Sequence, residues 1–161
     1  LKNRTKWILL SIVLLLIVFF GLYRYYLYVH EDIWRGENEA IQRARQETGL
    51  VEGERVWKFV WDEVCWVVQG KTADGTQVMV WLPEGKQAQE KPLSEGVSEP
   101  QMRKIIEETL PDIDVVKLTP GIYNNQYVWE LFYKDKTHHY YRFFSYSNGE
   151  SLTEVFTLPN R

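Results

Sequence analysis

The apolar positions of this chain follow one rhythm near its start and two others beyond it. From Trp7 to Tyr23 they form a run of 17 residues without a charge, in which Ser11 is the one polar side chain. A helix rises about 1.5 Å per residue, so the run spans roughly 26 Å against a hydrocarbon core about 30 Å thick. A helix buried in a soluble core shows a polar stripe, and this one has none. The pattern predicts a transmembrane helix over residues 7–28, with Trp7 and Tyr23 as aromatic anchors at headgroup level and Arg24 snorkelling outward. Signal peptidase needs small residues just past the run, whereas Phe19 to Arg24 are bulky apart from Gly21; the segment reads as an uncleaved signal anchor. Lys2, Arg4 and Lys6 precede it, and His30, Glu31 and Asp32 follow. The positive-inside rule makes residues 1–6 a cytoplasmic basic tail and places the rest outside, on a single-pass protein of the cytoplasmic membrane.

Beyond the run, Ile33, Ala40, Ile41 and Ala44 recur at near-helical spacing, predicting a helix from about Ile33 to Thr48 that stops at Gly49. The period then drops to two. Trp57, Phe59 and Trp61 alternate with Val56, Lys58 and Val60; Val64, Trp66 and Val68 share a face; an Asp74-Gly75 turn leads to Val78, Val80 and Leu82 alternating with Gln77, Met79 and Trp81. One helix and three strands are expected, with Trp57, Phe59 and Trp61 facing the helix.

Residues 84–97 are polar, hold prolines and glycines, and lack periodicity, so they read as a linker. The pattern then restarts. Ser98 with Gln101 three positions on forms a capping-box start, Met102, Ile105, Ile106 and Leu110 lie on one helical face, and Pro111 ends it. Strands are predicted at 114–118, 127–134, 139–146 and 152–158, with turns at Asn124-Asn125 and Asn148-Gly149. Helix then antiparallel strands occurs twice, over 31–83 and 98–161, with Trp66 and Trp129 in similar places. The fold class is α+β: an N-terminal transmembrane helix, then two modules, each a helix packed on a short antiparallel sheet.

Composition narrows the partners. After Arg24, fifteen basic side chains face twenty-two acidic ones, a net charge of about −7 that disfavours nucleic acid and anionic surfaces. A protein or neutral partner fits better. Cys65 stands alone, which excludes an intramolecular disulfide and suits an envelope where disulfides are little used.

Three stretches in order behind the anchor, WVVQGKTADGTQVMVWLPEGK, EGVSEPQMRKII and VWELFYKDKTHHYYRFFSYSNGE, resemble the TseB (YpmB-like) family of Gram-positive bacteria. The resemblance covers nearly the whole chain and is most specific from Trp66 to Pro83 and from Gly96 to Ser98. It implies two cystatin-like, PepSY-like modules and a regulator of cell-wall elongation beside a penicillin-binding transpeptidase at the outer membrane face. It also implies no catalytic residues, and no cofactor is expected. His138-His139 departs from the pattern, where Gly or Asp would suit a tight turn.

The residues themselves offer little chemistry. Neighbouring histidines on a strand point to opposite faces and hold one ion poorly, so no metal site is expected. Cys65, beside Trp66, reads as a small packed hydrophobe. Asp62-Glu63 and Glu107-Glu108 read as solvated acids, although a wall hydrolase using Glu63 or Glu108 would need such carboxylates. No nucleophile, zinc or phosphate-loop signature occurs, and no small-molecule substrate is evident. Seven Trp, ten Tyr and seven Phe exceed what two small cores need. Trp81, Tyr140, Phe144 and Tyr146 are therefore candidates for meeting a partner or for packing the modules together. A different class of function, a protease inhibitor or propeptide-like binding module, also suits PepSY-like modules.

Overall fold

The computed structural model describes residues 2–159, and of residues 2 and 29–33 the backbone alone. The side chains of Lys2, His30, Glu31, Asp32 and Ile33, and the terminal residues of the predicted tail and second module, lie outside the described residues.

The chain divides into two units, one up to Asn38 and one from Glu39 onward. In the first, helix α1 (Lys2–Glu47) begins, and its segment Asn3–Tyr28 is the one stretch among the described residues long and apolar enough to cross a membrane. Its large apolar side chains face outward, Leu14, Ile17 and Phe20 each more than half exposed. The helix expected from Ile33 is a continuation of α1. No proline interrupts residues 24–47, and Gly36 alone does not break a helix of this length.

The second unit carries eight strands in two antiparallel meanders. β1 (Leu50–Val60), β2 (Val64–Thr72), β3 (Gln77–Pro83) and β4 (Gln89–Pro92) pair in chain order. A 3-10 turn at Leu93–Glu95 and helix α2 (Glu99–Thr109) follow. β5 (Asp114–Tyr123), β6 (Gln126–Lys134), β7 (His139–Ser145) and β8 (Ser151–Leu158) form the second sheet, again in order.

Local chemistry explains the joints. Asn124 and Asn125 both have positive φ, 49° and 60°, as a two-residue hairpin turn requires where Tyr123 pairs with Gln126. The backbone N–H of Ser98 donates to Gln101 Oε1 at 2.9 Å, holding the first turn of α2. At the His138 turn, Asp135 supplies the turning residue itself: its carboxylate accepts the backbone N–H groups of Thr137 and His138, each at 2.7 Å. The histidine pair therefore needs no glycine beside it.

Two expectations change. The stretch 84–97 contributes β4, an edge strand of sequence QEKP whose polarity hides it from any periodicity argument and whose proline suits an edge. It is held to α1 by Arg43, which donates to the Lys86 carbonyl as well as to that of Pro83 at the end of β3, and by Glu47, which accepts the Ala88 N–H at 2.9 Å. The second change concerns the faces of the first sheet. Val56, Val68, Val78, Val80 and Leu82 pack on Ala40 and Ala44 of α1, while Trp57, Phe59 and Trp61 turn the other way. Ala40 and Ala44 leave room on this face for the valines and Leu82, with Trp66 partly buried against the same cluster. The rings instead fill a core shared with the second sheet and with Met102 and Ile106 of α2.

Candidate functional site

The shared core is a junction of rings. Trp81 of β3 lies 4.8 Å from Tyr146, edge to face, and 4.5 Å from Tyr127. Trp61, at the end of β1, meets Tyr141 at 5.2 Å, Phe143 at 5.0 Å and Phe156 at 5.1 Å. Trp129 donates its indole N–H to the Val97 carbonyl at 2.8 Å, fixing the entry to α2. Trp66 packs on the α1 side of the first sheet, with the Lys58 ammonium 5.4 Å from its ring.

Of the four aromatic candidates, Trp81, Phe144 and Tyr146 are at most 1% exposed. That burial removes them from any partner-facing surface: Trp81 and Tyr146 are covered by each other and by Tyr127 and Trp129, and Phe144 is buried in the same cluster. Tyr146 and Trp81 bridge the two sheets; Phe144 packs within the same cluster. Burial pushes the Tyr146 hydroxyl up to about 12, with Glu95 nearby adding to the effect. Tyr140 differs from the other three: it is half-buried and stacks 5.1 Å from Tyr133. The anchor candidates Trp7, Tyr23 and Arg24 all stand exposed on the apolar segment.

The remaining chemistry-bearing residues are dispersed. Cys65 is fully buried, and burial, the largest influence, pushes its thiol up to about 11. Glu63 is ion-paired to Lys86 at 2.7 Å, and Glu108 sits 4.0 Å from Lys104 on the exposed side of α2. His139 stacks on Phe132 at 5.6 Å. Among the described residues no group of three His, Cys, Asp or Glu side chains could hold a metal ion. One buried charge has strong partners: Glu99, at the start of α2, is paired with Arg103 at 2.8 Å and with Arg55 of β1.

The sequence reading passed over Glu130. It is 7% exposed, in the middle of β6, at the floor of a groove of about 490 Å³ bounded by β1 and β8. Burial pushes its carboxyl up to about 7 against the opposing pull of Lys117. The available signal was a lone acid inside VWELFY, an otherwise apolar strand.

Comparison with known proteins agrees with this architecture. A family model described as "Cell wall elongation regulator TseB-like domain" matches residues 39–83. The chain is 31% identical over 127 residues to "Probable cell wall elongation regulator TseB" of Bacillus subtilis (strain 168), covering 74% of this chain and 76% of that protein. The solved structure "YpmB protein from Bacillus subtilis" superposes with a TM-score of 0.66 at 28% identity, over 76% of this chain and 98% of that one.

Proposed function

The chain belongs to the TseB family of cell wall elongation regulators, and from that premise we propose that it works as a membrane-anchored binding module on the outer face of the cytoplasmic membrane. It is a regulator and not an enzyme. The observation that carries the anchored reading is the segment Asn3–Tyr28, whose large apolar side chains have no protein cover. In water such a surface would drive association; in lipid it is at rest. The basic residues Lys2, Arg4 and Lys6 favour an N-terminus inside.

The partner in this reading is a penicillin-binding transpeptidase. Support comes from the family's role in wall elongation and from the net acidity of the unit from Glu39 onward, with nineteen acidic against fourteen basic side chains, which suits a protein surface better than an anionic polymer. Tethering both proteins to one membrane raises their effective concentration, so a weak interface suffices. Replacing residues 2–28 by an unrelated membrane span should preserve the protein's effect on elongation in a strain lacking it. Replacing them by a cleavable signal should abolish most of that effect at equal protein level. Full activity of the released form would overturn the anchored reading.

A further inference from the structure

The groove above Glu130 holds a charge that the fold leaves unmatched. Among the described residues the Glu130 carboxyl makes neither a hydrogen bond nor an ion pair, although it is 7% exposed. Opposite it across the β5–β6 pairing stands Thr119, whose Oγ1 is buried and also unpartnered. Leaving buried polar groups unsatisfied is unfavourable, and native folds keep few of them. Thr119 Oγ1 is such a group, and beside it the Glu130 carboxyl, itself without a hydrogen bond, opens onto the groove, where a ligand group can complete it.

The walls narrow the chemistry. Trp61, Phe132, Tyr141 and Phe156 line the groove, and their ring faces attract cations as well as alkyl chains. Exposed Val60 and Leu158 form its rim, at 58% and 39% exposure. They lie at the ends of β1 and β8, each the outermost strand of its sheet. Two lysines also border the groove, and both are exposed. The Lys58 ammonium sits over Trp66, on the far face of the first sheet, and Lys117 touches Glu130 only through the field. Exposed cations are screened by solvent; the buried carboxyl is not.

We propose that this groove takes a lysine or arginine side chain from an extended segment of a protein partner, with the cationic head against Glu130 and the alkyl stem along the rings. The inference rests on the partner-binding reading above and names where that partner engages. A neutral glycan would leave the carboxylate unmatched, and an anionic headgroup would meet Lys58 and Lys117 at the border but gain nothing from the carboxylate on the floor. A volume of about 490 Å³ accommodates one long side chain and its neighbours.

The test uses the full chain in detergent micelles, with NMR signals of the Trp61 indole and the Glu130 carboxyl as reporters. The probes are the peptide Gly-Ser-Lys-Ser-Gly and its counterpart with norleucine in place of lysine. The lysine peptide should shift both signals saturably and bind more tightly at pH 8 than at pH 6. The norleucine peptide, and Glu130→Gln with the lysine peptide, should bind at least about tenfold more weakly, as loss of a desolvated cation contact implies. Equal responses to the two peptides, or none that saturates, would overturn the proposal. A photo-crosslinking residue at Leu158 separates this failure from that of the broader reading. If a general crosslinker captures a transpeptidase in cells and Leu158 never does, the groove is refuted and the regulator reading stands.

Discussion

The ring of Phe59 packs against Gly121 so closely that a Cβ placed at residue 121 would stand 2.3 Å from the ring. This contact joins β1 of the first sheet to β5 of the second, and it requires glycine for space, not for backbone conformation. Gly121→Ala should destabilise the protein by about 1–3 kcal/mol, the usual consequence of overpacking a filled core. Near-UV circular dichroism during thermal unfolding measures the loss. Adding Phe59→Leu should return part of it, and a double mutant no better than Gly121→Ala alone would contradict the contact's role.

Glu130 makes stability fall with rising pH. Its folded carboxyl is raised to about 7 by burial, above the ordinary carboxylate value of 4.5, so the folded state holds the proton more tightly than the unfolded one. The stabilisation is fully present below the unfolded value and is lost as pH rises through about 7, by at most about 3 kcal/mol. Lys117 of β5 and Lys58 of β1 moderate the effect, and Thr119 and Tyr141 are its uncharged neighbours. Denaturant midpoints between pH 5 and 8 measure the slope; Glu130→Gln should flatten it and be more stable than the parent at pH 8.

Glu99 has the opposite sign. Burial raises its carboxyl, but the bonds from Arg103 and Arg55 outweigh burial and leave it below the usual range. Its contribution is present above the ordinary carboxylate value and is lost as pH falls through the lowered one. Glu99→Gln should cost about 1–3 kcal/mol at pH 7, because it removes the Arg55 ion pair between α2 and β1 and the charge-assisted Arg103 bonds within α2. Urea unfolding at pH 7 and near pH 3 checks this, with the difference between parent and variant shrinking at the lower pH.

Cys65 should resist alkylation in the folded protein. Its side chain is fully buried and its thiol is pushed up to about 11, so both access and thiolate are scarce at pH 8. Iodoacetamide labelling followed by mass spectrometry should be slow without denaturant and complete within minutes in strong urea. Rapid labelling of the folded chain would show an accessible strand β2.

Much of this architecture was legible because period-two patterns fix faces. Cys65, Val67, Met79 and Trp81 share one side of the first sheet, and Val68, Val80 and Leu82 share the other. Both sides are apolar, which is how a sheet covered on both faces reads. Alternation does not say which side meets which element. In the structure Ala40 and Ala44 of α1 meet the valines, and Trp57, Phe59 and Trp61 lie in the core shared with the second sheet. β4 was hidden because QEKP on an edge has no apolar face to repeat. The start of β1 was hidden by irregular pairing between Leu50 and Arg55, which breaks the alternation there. Glu130 could be noticed as a lone acid, yet its meeting with Trp61 and Phe156 depends on strands more than twenty residues apart in sequence.

Covalent crosslinking in living cells shows whether the protein, held at the membrane, binds a wall-synthesis enzyme. The full-length protein would be crosslinked, purified and analysed by mass spectrometry, beside a strain in which residues 39–161 are deleted and the anchor retained. A penicillin-binding transpeptidase should be the dominant partner of the full chain and absent from the deletion. Recovery of proteases or substrate-binding lipoproteins alone, with no transpeptidase, would contradict it.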